Sequence, residues 1–163
     1  MGSGKSTIGK LVAKHLKINF LDLDDYIEKA EGKTIGQIFL DRGELYFRKK
    51  EFFYLNEILE SKSDFLLATG GGTPCYGNNM KAITEATPYS IYLHVSLNQL
   101  VYRLSMEKAH RPLISTIPDE DLLEFIGKHL FERSFYYNQA QLRISCDNSS
   151  TEELALEIMN SLV

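Results

Sequence analysis

The chain is expected to fold as an α/β domain, a parallel sheet with helices on both faces. Three observations carry this expectation. Short apolar runs alternate with longer runs whose apolar residues recur every three to four positions. A Gly-Lys-Ser triplet stands directly ahead of the first helical run, and acidic and glycine clusters stand where the first two apolar runs end. Alternating strands and helices build parallel sheets, and such sheets bind ligands at the carboxyl ends of their strands.

The first element is a helix that follows Met1-Gly2-Ser3-Gly4-Lys5-Ser6-Thr7. Gly4, Lys5 and Ser6 fill the last three places of the phosphate-binding pattern G-x-x-x-x-G-K-[ST]. The first glycine of that pattern falls two residues ahead of Met1, so the first central strand of the sheet is expected to be missing from this chain. Ile8, Leu11, Val12, His15 and Leu16 then take the i, i+3, i+4, i+7, i+8 spacing of one buried helical face. A flexible glycine–serine start without a ligand is the plainer alternative. The helical run directly after Lys5 speaks against it.

Residues 18–22 read as a short strand, and Asp25–Ala30 as a turn or two of helix. Thr34–Ser61 is helical with a break at Gly43, and Phe65–Thr69 is an apolar strand ending in Gly70-Gly71-Gly72. Asn78–Ala86 is a helix, Tyr89–Val95 a strand, and Leu97–Met106 a helix. Glu107–Pro118 is polar and carries two prolines, the composition of a lid. Asp119–Ala140 is a long helix, Leu142–Cys146 a strand and Thr151–Leu162 a closing helix.

A length of 163 residues suits one domain, 1–163, with a full core. The net charge of −4 disfavours a general nucleic-acid binder, and no apolar run approaches the roughly 18 residues of a membrane span. Cys75 and Cys146 lack disulfide-framework or metal-knuckle spacing, so they are expected to stay reduced in a cytoplasmic protein. His15, His94, His110 and His129 show no paired ligand spacing.

The chemistry-bearing positions follow from the phosphate loop. A nucleotide triphosphate needs dense positive potential at close range, which backbone N–H groups at a helix start supply. Gly2, Ser3 and Gly4 would let the backbone curl around the phosphates, with Thr7 opening the helix behind them. Lys5 would reach the β- and γ-phosphates, and Ser6 would offer its hydroxyl to Mg²⁺. Asp22 and Asp24 are two apart at the end of a strand, where alternate residues share a face. One would hold Mg²⁺ through water and the other would accept a proton from a substrate hydroxyl. The competing reading of this cluster is a helix cap, with Asp25 as the capping residue. Three glycines in a row, Gly70–Gly72, exceed what a turn needs, and fit backbone that approaches a ligand closely. Arg48, Arg111 and Arg133 are candidate anion contacts. Each taken alone reads first as a solvated charge, and Arg48 could simply pair with Glu51 on its own helix.

Together these segments resemble the shikimate kinases, a P-loop kinase family. The resemblance runs over Met1–Lys10, Leu21–Glu28 with Gly32, Ile38–Glu51, Gly70–Gly72, Arg111-Pro112-Leu113-Ile114, and Arg133 to Tyr137. No single segment is specific; the ordered set is. It implies a P-loop kinase fold with a lid near residues 107–118, and Mg²⁺·ATP-dependent phosphorylation of the 3-hydroxyl of shikimate by a monomer. It further implies Mg²⁺ at Ser6 and Asp22, and Asp24 as base and hydroxyl contact. Arg48 and Arg133 would clamp the shikimate carboxylate beside Gly70–Gly72, and Glu51 would position Arg48. Lys5 and Arg111 would act on the transferring phosphate. Arg103 and the stretch 146–150 would meet adenine, although that stretch lacks the family's frequent proline. Two other readings stay open: a related small-molecule kinase acting on a substrate such as gluconate, and a non-catalytic nucleotide-binding module.

Overall fold

The computed structural model describes residues 2–108 and 112–162, and for Pro112 and Leu113 the backbone. Its elements run α1 (Lys5–Leu16), β1 (Asn19–Asp22), α2 (Leu23–Glu31), α3 (Ile35–Leu59), β2 (Phe65–Ala68), a 3₁₀ turn (Thr73–Cys75) and α4 (Asn79–Ala86). They continue with β3 (Ile91–His94), α5 (Leu97–Met106), α6 (Pro112–Ser115), α7 (Asp119–Tyr137), β4 (Leu142–Ser145) and α8 (Thr151–Asn160).

Local chemistry sets most boundaries. Thr34 and Gln37 form a reciprocal capping box at the start of α3, and Ser150 and Glu153 do the same for α8. The expected break in α3 is present at Gly43, whose φ of 79° and ψ of 172° leave the helical region. The buried face of α1 differs from the sequence expectation. Ile8, Gly9, Val12 and Ala13 are buried, while His15 and Leu16 are exposed. Gly9 joins the buried face because α1 seats it on β1, where a Cβ would lie 2.7 Å from the Phe20 ring.

Pairing is parallel, as alternation predicts, with Asn19–Asp22 in register with Phe65–Ala68 and Ile91–His94 with Leu142–Ser145. The four strands do not form one sheet, however. They form two two-stranded sheets, β1–β2 and β3–β4. A cavity of about 860 Å³ lies between them, lined by Phe65 to Ala68 on one side and Ile91 to Leu93 on the other. Ile8, Val12 and Leu16 of α1 close one face, and Ile126, Leu130 and Ile158 also contribute to its walls. Leu16 is 39% exposed because it borders this slot.

Two apolar clusters match the two half-sheets. One gathers Ile8, Val12, Leu104, Ile126, Ile144 and Ile158; the other gathers Leu23, Ile27, Ile38, Phe47, Leu55 and Ile58. The second is tied together by Glu31 of α2, whose carboxylate accepts from Tyr46 and Tyr54 and pairs with Lys50, all on α3. The Tyr54 hydrogen bond above all, then Lys50 and Tyr46, pull the Glu31 carboxyl from 4.5 down to about 2. A depressed folded-state pKa gives stability that is full above about pH 4.5 and is lost as pH falls toward about 2. Glu31→Gln is therefore expected to lower Tm at pH 7, with the gap to the parent chain closing between those two pH values. A gap that stays constant down to pH 2 in thermal melts would show that the charge is not what α3 holds.

Candidate active site

The loop ahead of α1 turns through two glycines. Gly2 and Gly4 take φ of 71° and 84°, in the left-handed region that favours glycine, and Gly4 stands at the N-cap of α1 with no side-chain cap. No acidic residue occupies the first turn of α1, so that turn supplies no negative side chain of its own to its N–H groups. Arg103 fixes the loop from outside, donating to the Gly2 carbonyl at 3.5 Å and the Cys146 carbonyl at 2.7 Å. Ser3 borders the slot at its loop end, and Thr7 is exposed on α1 one residue past Ser6.

Asp22 organises this corner. Its Oδ2 accepts from the Ser6 hydroxyl at 3.0 Å and lies 3.8 Å from Lys5 Nζ. Its Oδ1 accepts from the Asp24 backbone N–H at 3.1 Å, so Asp22, and not Asp25, caps α2. Asp24 lies in the first turn of α2, not on a strand continuing from Asp22. The tight turn still sets the two carboxylates close together. Burial first, then the Asp22 charge, push the Asp24 carboxyl above its ordinary value, with Lys5 opposing. A carboxylate whose ionised form is destabilised this way holds a proton more readily than an exposed one.

Across from Asp24 run the glycines after β2. A Cβ on Gly70 would lie 3.2 Å from Asp24 Oδ1 and 3.1 Å from Thr73 Oγ1. One on Gly72 would lie 3.0 Å from Arg48 Nη2. The glycine run is thus required by close approach of two functional side chains to backbone. Gly71 is held differently: its carbonyl accepts from the Tyr137 hydroxyl at 2.6 Å.

Arg48 comes from α3. Its Nη1 donates to Glu51 at 2.9 Å and its Nε to Glu44 at 3.3 Å. Glu51 is only 1% exposed, and its other oxygen accepts from the Thr73 hydroxyl at 2.7 Å. Both oxygens of this buried carboxylate are satisfied, which fixes one side of the Arg48 fork. Arg133, on α7, lines the slot, as Gly70, Gly71 and Lys5 also do, and its charge reaches Cys75 and Tyr137. Both cysteines are free thiols, and burial pushes each thiol up.

The structure therefore gathers Lys5, Ser6, Asp22, Asp24, Arg48, Gly70, Gly71, Gly72 and Arg133 around the carboxyl ends of β1 and β2. Arg111 lies outside the described residues. Thr73, Tyr76 and Tyr137 hold site residues in place and were not singled out from the sequence. Thr73 and Tyr76 touch α3 residues 22 and 32 positions away, and Tyr137 reaches back 66 positions. No local spacing signals such contacts.

The family model for shikimate kinase matches residues 1–163. The chain belongs to the shikimate kinase family. A shikimate kinase of Flavobacterium johnsoniae is 44% identical over 162 residues, covering 99% of this chain and 94% of that relative. The solved shikimate kinase of Bacteroides thetaiotaomicron aligns with a TM-score of 0.88 at 33% identity, over 99% of this chain and 93% of that one. A shikimate kinase of Acinetobacter baumannii, solved in complex with shikimate, gives 0.86 at 31% identity, over 99% and 88%. As a shikimate kinase the chain is an enzyme, an ATP-dependent phosphotransferase of aromatic biosynthesis with a P-loop kinase fold. Among the described residues no helix is long and apolar enough to cross a membrane.

Proposed function

We propose that the chain moves the γ-phosphoryl group of ATP to the 3-hydroxyl of shikimate, acting as a monomer in the cytoplasm, with the following division of labour. Gly2–Thr7 cradle the nucleotide phosphates, and Lys5 neutralises the β- and γ-oxygens. Asp24 orients the attacking hydroxyl and takes its proton. Arg48 and Arg133 hold the substrate carboxylate against Gly70–Gly72, because a planar fork suits a carboxylate's two oxygens. The observation that carries this reading is the joint approach of Asp24 to Gly70 and of Arg48 to Gly72. It sets a base and an anion contact along one short stretch of backbone.

The Ser6 hydroxyl and Asp22 carboxylate, 3.0 Å apart, are hard oxygen donors of the kind Mg²⁺ takes. They would hold the ion, which when bound offsets charge on the phosphates. The segment 107–118, with Arg111, closes over the site and excludes water. Its described part is anchored at Ile114, which is fully buried in the first apolar cluster, and Lys108 pairs with Asp119 at 2.5 Å across its ends.

A coupled ADP-release assay with Mg·ATP tests the assignment. Shikimate-dependent ADP release is expected; its absence, with turnover on gluconate, rejects the reading. For the carboxylate contact, Arg48→Ala is expected to weaken shikimate binding by about 2–5 kcal/mol and leave ADP binding nearly intact. Calorimetric titration of both ligands checks it. Equal losses for the two would make Arg48 a structural residue.

A further inference from the structure

We infer that Tyr76 is a positioning residue that sets the plane of the Arg48 guanidinium, with Glu44 as its anchor, and so contributes to recognition of the substrate carboxylate. The inference rests on the proposed role of Arg48. Its own observations are separate.

The Arg48 guanidinium carbon lies over the Tyr76 ring, 3.9 Å from its centroid, so the ring packs directly against the fork. Phe47, at 5.1 Å, is a second and more distant aromatic neighbour. The Tyr76 hydroxyl donates to Glu44 Oε1 at 2.7 Å, and that same oxygen accepts from Arg48 Nε at 3.3 Å. Ring, carboxylate and guanidinium thus close a triangle. Glu51 holds a second edge of the fork through Nη1. Gly72 backbone lies against Nη2, the corner left facing the glycine run.

The Tyr76 backbone is fixed for this task. Its N–H donates to Thr73 O at 3.5 Å across the 3₁₀ turn, and its own carbonyl accepts from Asn79 N–H at 3.2 Å. The buried Asn79 side chain donates to Thr73 O at 2.9 Å, which pins the turn to α4. On α3, the break at Gly43 comes one residue before Glu44. It frees Glu44 from the preceding helical path so that it can meet a tyrosine on a different segment. Tyr76 is itself 40% exposed, and most of the apolar core lies elsewhere, so its ring has little structural duty besides Arg48.

A guanidinium held in one plane presents its donors to a carboxylate without first losing rotational freedom. Without the ring, Arg48 keeps its charge and its Glu51 bond, but Glu44 loses the hydroxyl that anchors it and the guanidinium loses the ring packed against it. The cost falls on the ligand that uses the fork, and not on the nucleotide.

Steady-state kinetics on the full chain test this. Tyr76→Ala is expected to raise the shikimate KM about tenfold, with kcat and the ATP KM within about twofold. Tyr76→Leu, which fills the volume without a π face, should match the alanine variant. Tyr76→Phe, which keeps the ring and loses the Glu44 bond, should raise KM only about two- to threefold. Tyr76→Phe combined with Glu44→Ala should be no worse than Glu44→Ala alone, because both remove the same bond. An unchanged KM in Tyr76→Ala overturns the inference. So does a leucine variant that behaves like the parent chain, or equal rises in both KM values. If Arg48→Ala leaves shikimate binding intact, the role of Arg48 fails. If Arg48→Ala weakens binding while Tyr76→Ala does not, only the role of Tyr76 fails.

Discussion

Asp24→Asn is expected to lower kcat for shikimate phosphorylation by about 10²–10⁴-fold, the range lost when a general base is removed. The shikimate KM should change only a few-fold. Asparagine keeps the size of the side chain and its place beside Gly70, where Asp24 Oδ1 sits 3.2 Å from a would-be Cβ. It can still hydrogen-bond a hydroxyl but cannot take its proton. The pH dependence gives a second readout. Burial and the Asp22 charge raise the Asp24 carboxyl above 3.8, so the base is lost to protonation at a higher pH than an exposed aspartate would show. The acid limb of kcat/KM in the parent chain should reflect that raised value and be absent from the residual activity of Asp24→Asn. Stability should move the other way. A carboxyl whose folded-state pKa is raised makes the fold less stable as pH climbs from the unfolded value through the folded one. The neutral amide escapes that cost, so Asp24→Asn should melt higher than the parent chain at pH 7. A variant that keeps its kcat would remove Asp24 from the chemistry. One that loses kcat and also melts lower would point to a packing role.

What was readable from the sequence divides along a physical line. The loop glycines, Lys5, Ser6 and the paired aspartates announce themselves because their chemistry is local: a phosphate site needs consecutive backbone N–H groups and a nearby acid. The strand–helix alternation likewise follows from near-neighbour periodicity, and it places β1 to β4 within a residue or two of their observed limits. On α1 the expected Ile8 and Val12 are buried and Leu16 borders the slot, whereas Gly9 was missed because apolar spacing does not count glycine as a packing residue. The cap of α2 was misplaced by three residues because three aspartates compete for it, and only the turn geometry selects Asp22. Thr73, Tyr76 and Tyr137 were silent. They act by hydrogen bonds and stacking across elements far apart in the chain, and a lone hydroxyl or aromatic ring in sequence carries no record of its partner. The division of the strands into two sheets was not read from the sequence, since each strand by itself has ordinary composition.

That division sets up the second large effect. A form extended ahead of Met1 by an apolar β-strand of about five residues, then a glycine and one further residue, is expected to melt about 10 °C or more above the 163-residue chain. It should also bind ATP more tightly. The slot is bordered by β2 on one side and β3 on the other. Each flanking strand is four residues long, both belong to parallel pairs, and the walls are apolar on both faces. Burying each Val, Ile or Leu side chain contributes about 1.5–3 kcal/mol, against about 1–2 kcal/mol per residue for ordering its backbone. The hydrogen bonds gained along the two inner edges tip the balance further, because backbone groups left unpaired next to apolar walls cost about 1–3 kcal/mol each. The carboxyl end of such a strand arrives at Ser3 and Lys5, which border the slot, so it would also brace the curve of Gly2–Ser6 that the phosphates need. Side-by-side melts, ATP titrations and hydrogen exchange read the three consequences separately. Exchange at Phe65–Ala68 and Ile91–His94 should slow in the extended form, while an extension of the same length rich in serine and aspartate should leave it unchanged. Equal melting temperatures and unaltered exchange at both strands would show that the two half-sheets are stable neighbours without a strand between them.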